Sequence, residues 1–245
     1  TVSGSLTSVA GGGDTVAALN QAGAAEAAAA AGAATARPAL AQSSGTVVDL
    51  THTLTPEFPT FDGLPGISFE PDKDYEADGY KIWKVSFFEH SGTHIDAPAH
   101  FAEGTDTVDM LAPESLMCPL CILDLKAKAA DDPNAMVEPE DIEAWISENG
   151  EIPEGACVAM NSGWQDKLGD EAYRTDAEGN FAFPGFAKSA TDMLLEMGVA
   201  SIGVDTLSLD PGNSADFAVH NSWLPDGRFG IENLANLDQV PPSGA

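Results

Sequence analysis

Basic residues are scarce in this sequence of 245 residues, in which 10 are lysine or arginine and 39 are aspartate or glutamate. Proteins bind nucleic-acid backbones and anionic membrane surfaces through clustered Lys and Arg side chains. A formal net charge of -29 opposes both kinds of contact and is typical of a strongly solvated acidic surface. The composition therefore predicts no nucleic-acid partner and no membrane partner.

Long apolar runs and cysteines are also few. No stretch of the sequence reaches the ~20 uninterrupted apolar residues that a membrane-spanning helix needs. The three cysteines, Cys118, Cys121 and Cys157, have no regular spacing, which argues against a disulfide framework and against a four-thiolate zinc site. Because Cys121 opens an apolar run, we interpret the three residues as buried structural cysteines.

The first 45 residues differ from the rest in composition, with a run rich in alanine from Ala17 to Ala36. The tripeptide Ala39–Ala41 resembles the A-x-A site that ends an export signal, although Asp14 and Glu26 interrupt the apolar stretch before it. We interpret residues 1–45 as a low-complexity segment and as the remnant of an export signal, with a free Ala-rich helix as the alternative. The first interpretation predicts an exported, periplasmic protein, and the second a cytoplasmic one.

From residue 46 onward, short apolar runs and helical patterns interleave, and we predict one domain over residues 46–245. The predicted strands are 47–50, 81–88, 121–125, 156–160 and 200–204, and the predicted helices are 139–149 and 189–197. This alternation predicts the α/β class. Several connections are too short for helical crossovers, so the sheet is expected to be mixed rather than purely parallel.

Three of the five histidines lie within eleven residues, in the segment EHSGTHIDAPAHF that begins at Glu89. Gly92 and Pro98 indicate a turn rather than a helix, and a turn can bring His90, His94 and Asp96 to one point. Two imidazoles and one carboxylate suit zinc, manganese or iron and leave positions open for water and substrate. The cluster predicts a catalytic metal site rather than hydrogen-bonded core histidines.

The pattern H-x-G-T-H-x-D-x-P-x-H, complete from His90 to His100, resembles the signature of the cyclase-type metal-dependent hydrolases, which include kynurenine formamidases and isatin hydrolases. The resemblance extends from Val47 to Ala245 through shorter motifs, among them Asp205–Asp210 and Gly230–Leu234. It implies an α/β fold with a mixed or barrel-like sheet flanked by helices, and a dimer or tetramer. Members of the family typically continue past the position of Ala245 with another strand.

The resemblance also implies roles for individual residues. It implies five metal ligands around one or two ions of zinc or manganese: His90, His94 and Asp96 for one ion, with His220 and Glu232 joining Asp96 for a second. His100 would be the catalytic acid and base. The implied reaction is hydrolysis of a carbon–nitrogen bond in a small aromatic amide or lactam, such as an arylformamide or an isatin-like substrate.

Three other functions remain open on the sequence. His94, Asp96 and His220 also form the two-His, one-carboxylate set of non-haem iron oxygenases, which would leave without a role the residues His90, His100 and Glu232. A non-catalytic metal- or ligand-binding protein is the second alternative. The third is a hydrolase of lactones or carbohydrate derivatives that uses the same site, because metal-activated water does not dictate the acyl substrate.

Aromatic and acidic residues near the motifs give weaker indications. We expect four aromatic residues in the core rather than in a pocket: Trp83, Phe87, Phe88 and Trp164. For Trp223, which follows His220 closely, a place in the core and a place in a pocket are equally compatible with the sequence. Asp205 and Asp210 are candidates for orienting the histidines, and His52 is expected to cap or pack.

Overall fold

The computed structural model describes residues 47–245. The expectations for residues 1–45, a low-complexity segment with an export signal, lie outside the described residues. In chain order the helices and strands are β1 (Ile67–Lys73), α1 (Tyr75–Asp78), β2 (Ile82–Phe87), β3 (His94–Asp96), β4 (Leu120–Asp124), α2 (Lys126–Asp131), β5 (Met136–Val137), α3 (Pro139–Asn149), β6 (Cys157–Asn161), β7 (Gly185–Phe186), α4 (Lys188–Glu196), β8 (Ser201–Val204), α5 (Ala218–Trp223) and β9 (Phe229–Glu232).

The central sheet has five strands in the order β3-β9-β8-β6-β4. Its last four strands are parallel to one another, and β3 pairs antiparallel with β9. Strands β6, β8 and β9 are buried along their whole length, as parallel strands covered on both faces are. The predicted α/β class with a mixed sheet flanked by helices is therefore confirmed.

Helices α3 and α4 begin and end where local sequence signals place them. Pro139 occupies the first turn of α3, and Glu138 and Asp141 form a reciprocal capping box. The indole Nε1 of Trp145 on α3 donates to the carbonyl of Ile122 in β4 at 2.9 Å and ties this helix to the sheet. No helix within residues 47–245 is long and apolar enough to cross a bilayer.

The predicted strand at residues 47–50 is wrong. Residues 47–50 belong to no strand, and the residue after them, Thr51, makes one isolated antiparallel bridge, with Leu234. Strand β9 ends at Glu232, and the backbone turns through left-handed conformations at Asn233 (φ 54°) and Asn236 (φ 57°). The partner is therefore not extended far enough for a second strand to pair along it.

The three cysteines are buried and free within the described part of the chain, as the sequence indicated. Cys121 lies in β4 and Cys157 opens β6. Burial raises the pKa of the Cys121 thiol to about 11, which makes that thiol a poor nucleophile.

Strands β1 and β2 form an antiparallel hairpin outside the central sheet. The expectation that Trp83, Phe87 and Phe88 lie in the core is wrong, because they are 44%, 55% and 66% exposed. Alternation of apolar and polar residues predicts the strand, but it does not show whether other parts of the chain pack on the strand and bury it. Trp164 is buried as expected, and Trp223 is buried too, with its Nε1 donating to the carbonyl of Phe229 at 2.9 Å.

A buried polar chain links the core to the turn that precedes β3. The hydroxyl of Tyr173 donates to the Asn233 Oδ1 atom at 2.9 Å, and Asn233 Nδ2 donates to the carbonyl of Gly92 at 3.0 Å. Gly92 adopts φ 65°, a conformation that glycine reaches without strain. The hydroxyl of Tyr173 thereby holds the turn in place through Asn233.

Replacement of Tyr173 by Phe is expected to lower the free energy of unfolding by about 1–3 kcal/mol, because it leaves the buried Asn233 Oδ1 without a donor. Urea unfolding followed by circular dichroism measures this loss. The matched control is Tyr75→Phe, since Tyr75 is 69% exposed and should change the free energy by no more than about 0.5 kcal/mol. Equal small effects of both substitutions would contradict the role assigned to Tyr173.

Candidate metal centre

The short strand β3 presents two potential ligands on one face. Residues two apart on a strand point to the same side, so His94 and Asp96 project together. The β3–β9 register pairs His94 with Glu232, which brings a second carboxylate to the same place. His94 Nε2 lies 3.5 Å from Glu232 Oε2.

The turn between β2 and β3 adds His90 to this face. His90 Nδ1 lies 2.8 Å from Asp96 Oδ1 and 3.0 Å from His94 Nε2. The distance between Asp96 Oδ1 and His94 Nε2 is 3.1 Å. His94 Nδ1 donates a hydrogen bond to the carbonyl of Gly92 at 2.8 Å, which turns Nε2 towards the cluster. Three ligand atoms therefore converge on one point.

A second group forms on the other oxygen of the same carboxylate. Asp96, His100 and His220 offer ligand atoms that lie within 4.8 Å of one another. His220 Nε2 is 3.3 Å from Asp96 Oδ2 and 3.5 Å from Glu232 Oε1. Asp96 thus joins the two groups, with Oδ1 towards His90 and His94 and Oδ2 towards His220.

His100 lies at the exposed rim of this arrangement. A 3-10 turn, Pro98–His100, carries the chain out of β3 and stacks the His100 ring 3.9 Å from the ring of His90. Burial of part of the ring, with the neighbouring His90, outweighs the attraction of Asp96 and lowers the pKa of His100 to about 4. The imidazole is therefore neutral and able to accept a proton near neutral pH.

The carboxylates of the cluster create a field that favours positive charge. Burial raises the pKa of Asp96, but the neighbouring imidazoles of His220, His90 and His94 hold it well below its usual range. Burial likewise lowers the pKa of His94, yet Asp96 and Glu232 together raise it to about 9. Burial and the negative charge of Asp96 raise the pKa of Glu232. The cluster stabilises cationic charge, whether as imidazolium protons or as a divalent ion.

The residues present fit a divalent ion. The donor set mixes imidazole nitrogens with carboxylate oxygens, as zinc, manganese and iron sites do. Asp96 is 1% exposed, and its Oδ1 atom is buried without a well-formed hydrogen bond among residues 47–245. A buried carboxylate oxygen that lacks a well-formed hydrogen bond is suited to coordinating a metal ion.

Asp210 orients His220, as the sequence indicated, but Asp205 does not orient a histidine. Asp210 Oδ2 accepts from His220 Nδ1 at 2.6 Å and from the His220 backbone N–H at 3.1 Å, which directs Nε2 towards Asp96. Asp205 instead accepts from the backbone and hydroxyl of Ser162 and from the backbone of Trp164. It satisfies a buried turn.

A cavity of about 570 Å³ opens beside the cluster, and His90, His94 and His100 are among the residues that line it. Its apolar walls come from both strands of the hairpin and from the loop that follows β3: Ile67, Val85, Phe87 and Val108. Phe87 is thus a wall residue, whereas we had expected it in the core. None of the described residues that line the cavity is lysine or arginine.

The structure brings together all six residues that the sequence analysis selected, and their individual roles stay predictions. Sequence reasoning missed Asn233, although the motif that contains it was noted for Glu232. An Asn next to a ligand at the end of a strand was the available signal, because Asn tolerates the left-handed conformation that this turn requires. Sequence reasoning also assigned to His52 only a capping or packing role, whereas His52 lines the cavity.

Comparison with known proteins agrees with this geometry. The Cyclase family model, described as "Putative cyclase", matches residues 48–211. The isatin hydrolase of Roseibium aggregatum is 33% identical over 221 residues, which cover 81% of this chain and 82% of that protein. A kynurenine formamidase of Salinibacter ruber is 24% identical over 198 residues, covering 80% and 85% of the two chains.

Solved structures show the same fold. Isatin hydrolase A from Ralstonia solanacearum superposes with a TM-score of 0.75 at 32% identity and covers 80% of this chain and 81% of its own. Isatin hydrolase A from Labrenzia aggregata, bound to benzyl benzoate, gives the same TM-score and identity and covers 80% and 83% of the two chains. With the family signature, the fold and the His–Asp cluster all in agreement, the chain belongs to the cyclase family.

Proposed function

We propose that this chain is a metal-dependent hydrolase that cleaves the carbon–nitrogen bond of a small aromatic amide or lactam. The observation that carries the proposal is the position of Asp96, whose carboxylate joins two groups of histidines, and three of those histidines, His90, His94 and His100, line an apolar cavity. The similarity to isatin hydrolase and kynurenine formamidase supports the same reaction class.

The metal would be zinc or manganese, held by His90, His94 and Asp96. Glu232 and His220 would complete a second site or support the first, since both lie within 3.5 Å of another member of the cluster. When bound, a divalent ion lowers the pKa of water to about 7 and polarises a carbonyl group.

We propose that His100 moves the proton in this reaction. Its neutral imidazole at the cavity can accept a proton from the attacking water, and the resulting imidazolium can donate it to the nitrogen that leaves. The new carbon–oxygen bond forms as the carbon–nitrogen bond breaks, giving a carboxylate and an amine. Asp210 keeps His220 in one orientation throughout, because it accepts from the Nδ1 proton.

The cavity favours a neutral aromatic substrate. Its walls are mostly apolar, and among the described lining residues it offers no lysine or arginine to pair with a carboxylate. Glu89 at the cavity would repel an anionic group. We therefore place an isatin-like lactam ahead of an arylformamide that carries an amino-acid group.

The oxygenase alternative is less consistent with this geometry. It requires three ligands from His94, Asp96 and His220, with the remaining positions open. Here His90 Nδ1 lies closer to Asp96 Oδ1, at 2.8 Å, than His220 Nε2 lies to Asp96 Oδ2, at 3.3 Å. The hydrolase proposal assigns a role to His90 as well as to the three residues that the oxygenase alternative uses.

A homo-oligomer, a dimer or a tetramer, would cover the exposed hairpin. A two-stranded hairpin is marginally stable alone in water, and this one exposes large apolar side chains: Phe69, Ile82, Trp83 and Val85 are each between 44% and 46% exposed. We propose that a second copy of this chain packs on it, which would also close the outer end of the cavity.

Removal of metal with a chelator should abolish hydrolysis of isatin, and reloading with zinc or manganese should restore it, as followed by absorbance.

His100→Ala should lose about 100-fold or more of the turnover while its metal content stays unchanged, because His100 moves a proton. Asp109→Asn, at an exposed site, is the control and should retain full turnover.

Turnover that persists after chelation, or that survives His100→Ala, would contradict the hydrolase mechanism. If isatin and N-formylkynurenine both remain intact and the loaded protein consumes oxygen with an oxo-acid, the oxygenase assignment replaces it.

Trp83→Lys is expected to shift the sedimentation coefficient of the protein from that of an oligomer towards that of a monomer, because it places a charge in the covered face. Leu168→Lys is the matched control, since Leu168 is 37% exposed outside the hairpin and should leave the assembly unchanged. A wild-type protein that sediments as a monomer at all concentrations would contradict the proposed oligomer.

A further inference from the structure

Phe217 has an unusual backbone conformation next to the histidine cluster. It adopts φ 50° and ψ 49°, in the left-handed region, directly before α5. Among residues 47–245 the other non-glycine residues with positive φ are Asn233 and Asn236, and asparagine tolerates this region better than a bulky aromatic residue does. A strained residue persists only where surrounding contacts hold it, and such residues concentrate at functional sites.

The start of α5 does not need a polar side chain at position 217. The residue before a helix typically accepts from the backbone N–H groups of the second or third helical residue, and the Phe217 side chain has no acceptor. Asp210 accepts instead, from the N–H of Val219 at 2.8 Å and from the N–H of His220 at 3.1 Å. Because another part of the chain caps the helix, position 217 can carry an aromatic ring.

Hydrogen bonds hold the backbone of Phe217 on both sides. The Ser214 hydroxyl accepts from the Phe217 N–H at 3.2 Å and donates to Asp210 Oδ1 at 3.4 Å. The Phe217 carbonyl accepts from the N–H of Asn221 at 2.8 Å, in the first turn of α5. These contacts stabilise the left-handed conformation.

The ring of Phe217 lies against the ring of His220. The two centroids are 5.8 Å apart, and the ring planes are nearly perpendicular, at 88°. Phe101 also packs on His220, at 4.7 Å with an interplanar angle of 36°. The hydrogen bond from Nδ1 to Asp210 fixes one point of the imidazole, and these ring contacts restrict its rotation about that point.

We propose that Phe217 is a positioning residue for His220: its left-handed backbone places the phenyl ring against the imidazole and so keeps Nε2 directed at Asp96. Phe217 is not among the described residues that line the cavity, so it acts through His220 and not on the substrate. The effect on metal binding rests on the proposed function, whereas the orientation of the His220 ring does not.

The test follows the His220 ring by NMR in metal-free protein that carries ¹⁵N-labelled histidine. The exchange rate of the Nδ1 proton with water reports how often the imidazole leaves Asp210, and the signal is identified by its absence in His220→Gln. Phe217→Gly keeps the left-handed backbone and removes the ring, so it should speed this exchange by about 2- to 10-fold, the ratio equivalent to one aromatic pair. Phe217→Tyr keeps the ring and should exchange at a rate close to that of the wild type.

Phe181→Ala is the matched control. Phe181 packs on Phe61 at 4.5 Å and makes no ring contact with His220 among the described residues. This substitution should lower the urea midpoint of unfolding and leave the Nδ1 exchange rate unchanged. Exchange in Phe181→Ala as fast as in Phe217→Gly would indicate a general loosening of the fold and would overturn the positioning role.

Urea unfolding tests the strain at position 217. Phe217→Gly and Phe217→Ala both remove the ring, but only glycine relieves the cost of the positive φ. Phe217→Gly should therefore unfold at a higher urea concentration than Phe217→Ala, although glycine ordinarily destabilises a protein relative to alanine. The reverse order would contradict a strained backbone at Phe217 and overturn the proposal.

Metal binding separates this proposal from the proposed function. The dissociation constant for zinc, from competition with a chromophoric chelator, should rise by about 2- to 10-fold in Phe217→Gly. Faster Nδ1 exchange with an unchanged dissociation constant, or with no zinc bound by the wild type, supports the positioning role and contradicts the assignment of His220 to the metal. An Nδ1 exchange rate in Phe217→Gly equal to that of the wild type overturns the positioning role, whatever the metal content.

Discussion

The buried carboxylate of Asp96 is the constraint on which the rest of the site depends. A carboxylate that is 1% exposed is too costly to keep charged unless cationic groups or a metal ion face it. Three imidazoles do so here, two at Oδ1 and one at Oδ2. The Gly92 carbonyl and the Asp210 carboxylate fix two of those rings from behind. The site is built outward from one charge.

The fold places this charge where the sheet changes direction. Strand β9 is parallel to β8 but antiparallel to β3, so Glu232 and His94 meet at the one antiparallel pair of the central sheet. The turn on one side of β3 supplies His90, and the 3-10 turn on the other supplies His100. The hairpin β1–β2 then adds apolar walls to the cavity. The histidine cluster and most of the apolar cavity wall therefore come from different parts of the structure.

Local signals made part of this predictable from sequence. Helix α3 agreed with its predicted limits because Pro139 and Gly150 mark its ends, and the cluster was predictable because three histidines share one short segment. The exposure of Trp83 and the single bridge between Thr51 and Leu234 depend on how distant parts of the chain pack, which spacing does not reveal. Asp205 and Asp210 look alike in sequence, and only packing separates their roles.

Metal content, measured by equilibrium dialysis against zinc or manganese followed by elemental analysis, tests most directly whether the site is organised around Asp96. The wild type should bind one or two ions, and Asp96→Asn should lose them. Asp131→Asn, which alters an exposed carboxylate outside the cluster, should bind as the wild type does. Equal metal content in the wild type and Asp96→Asn would contradict a site organised around Asp96.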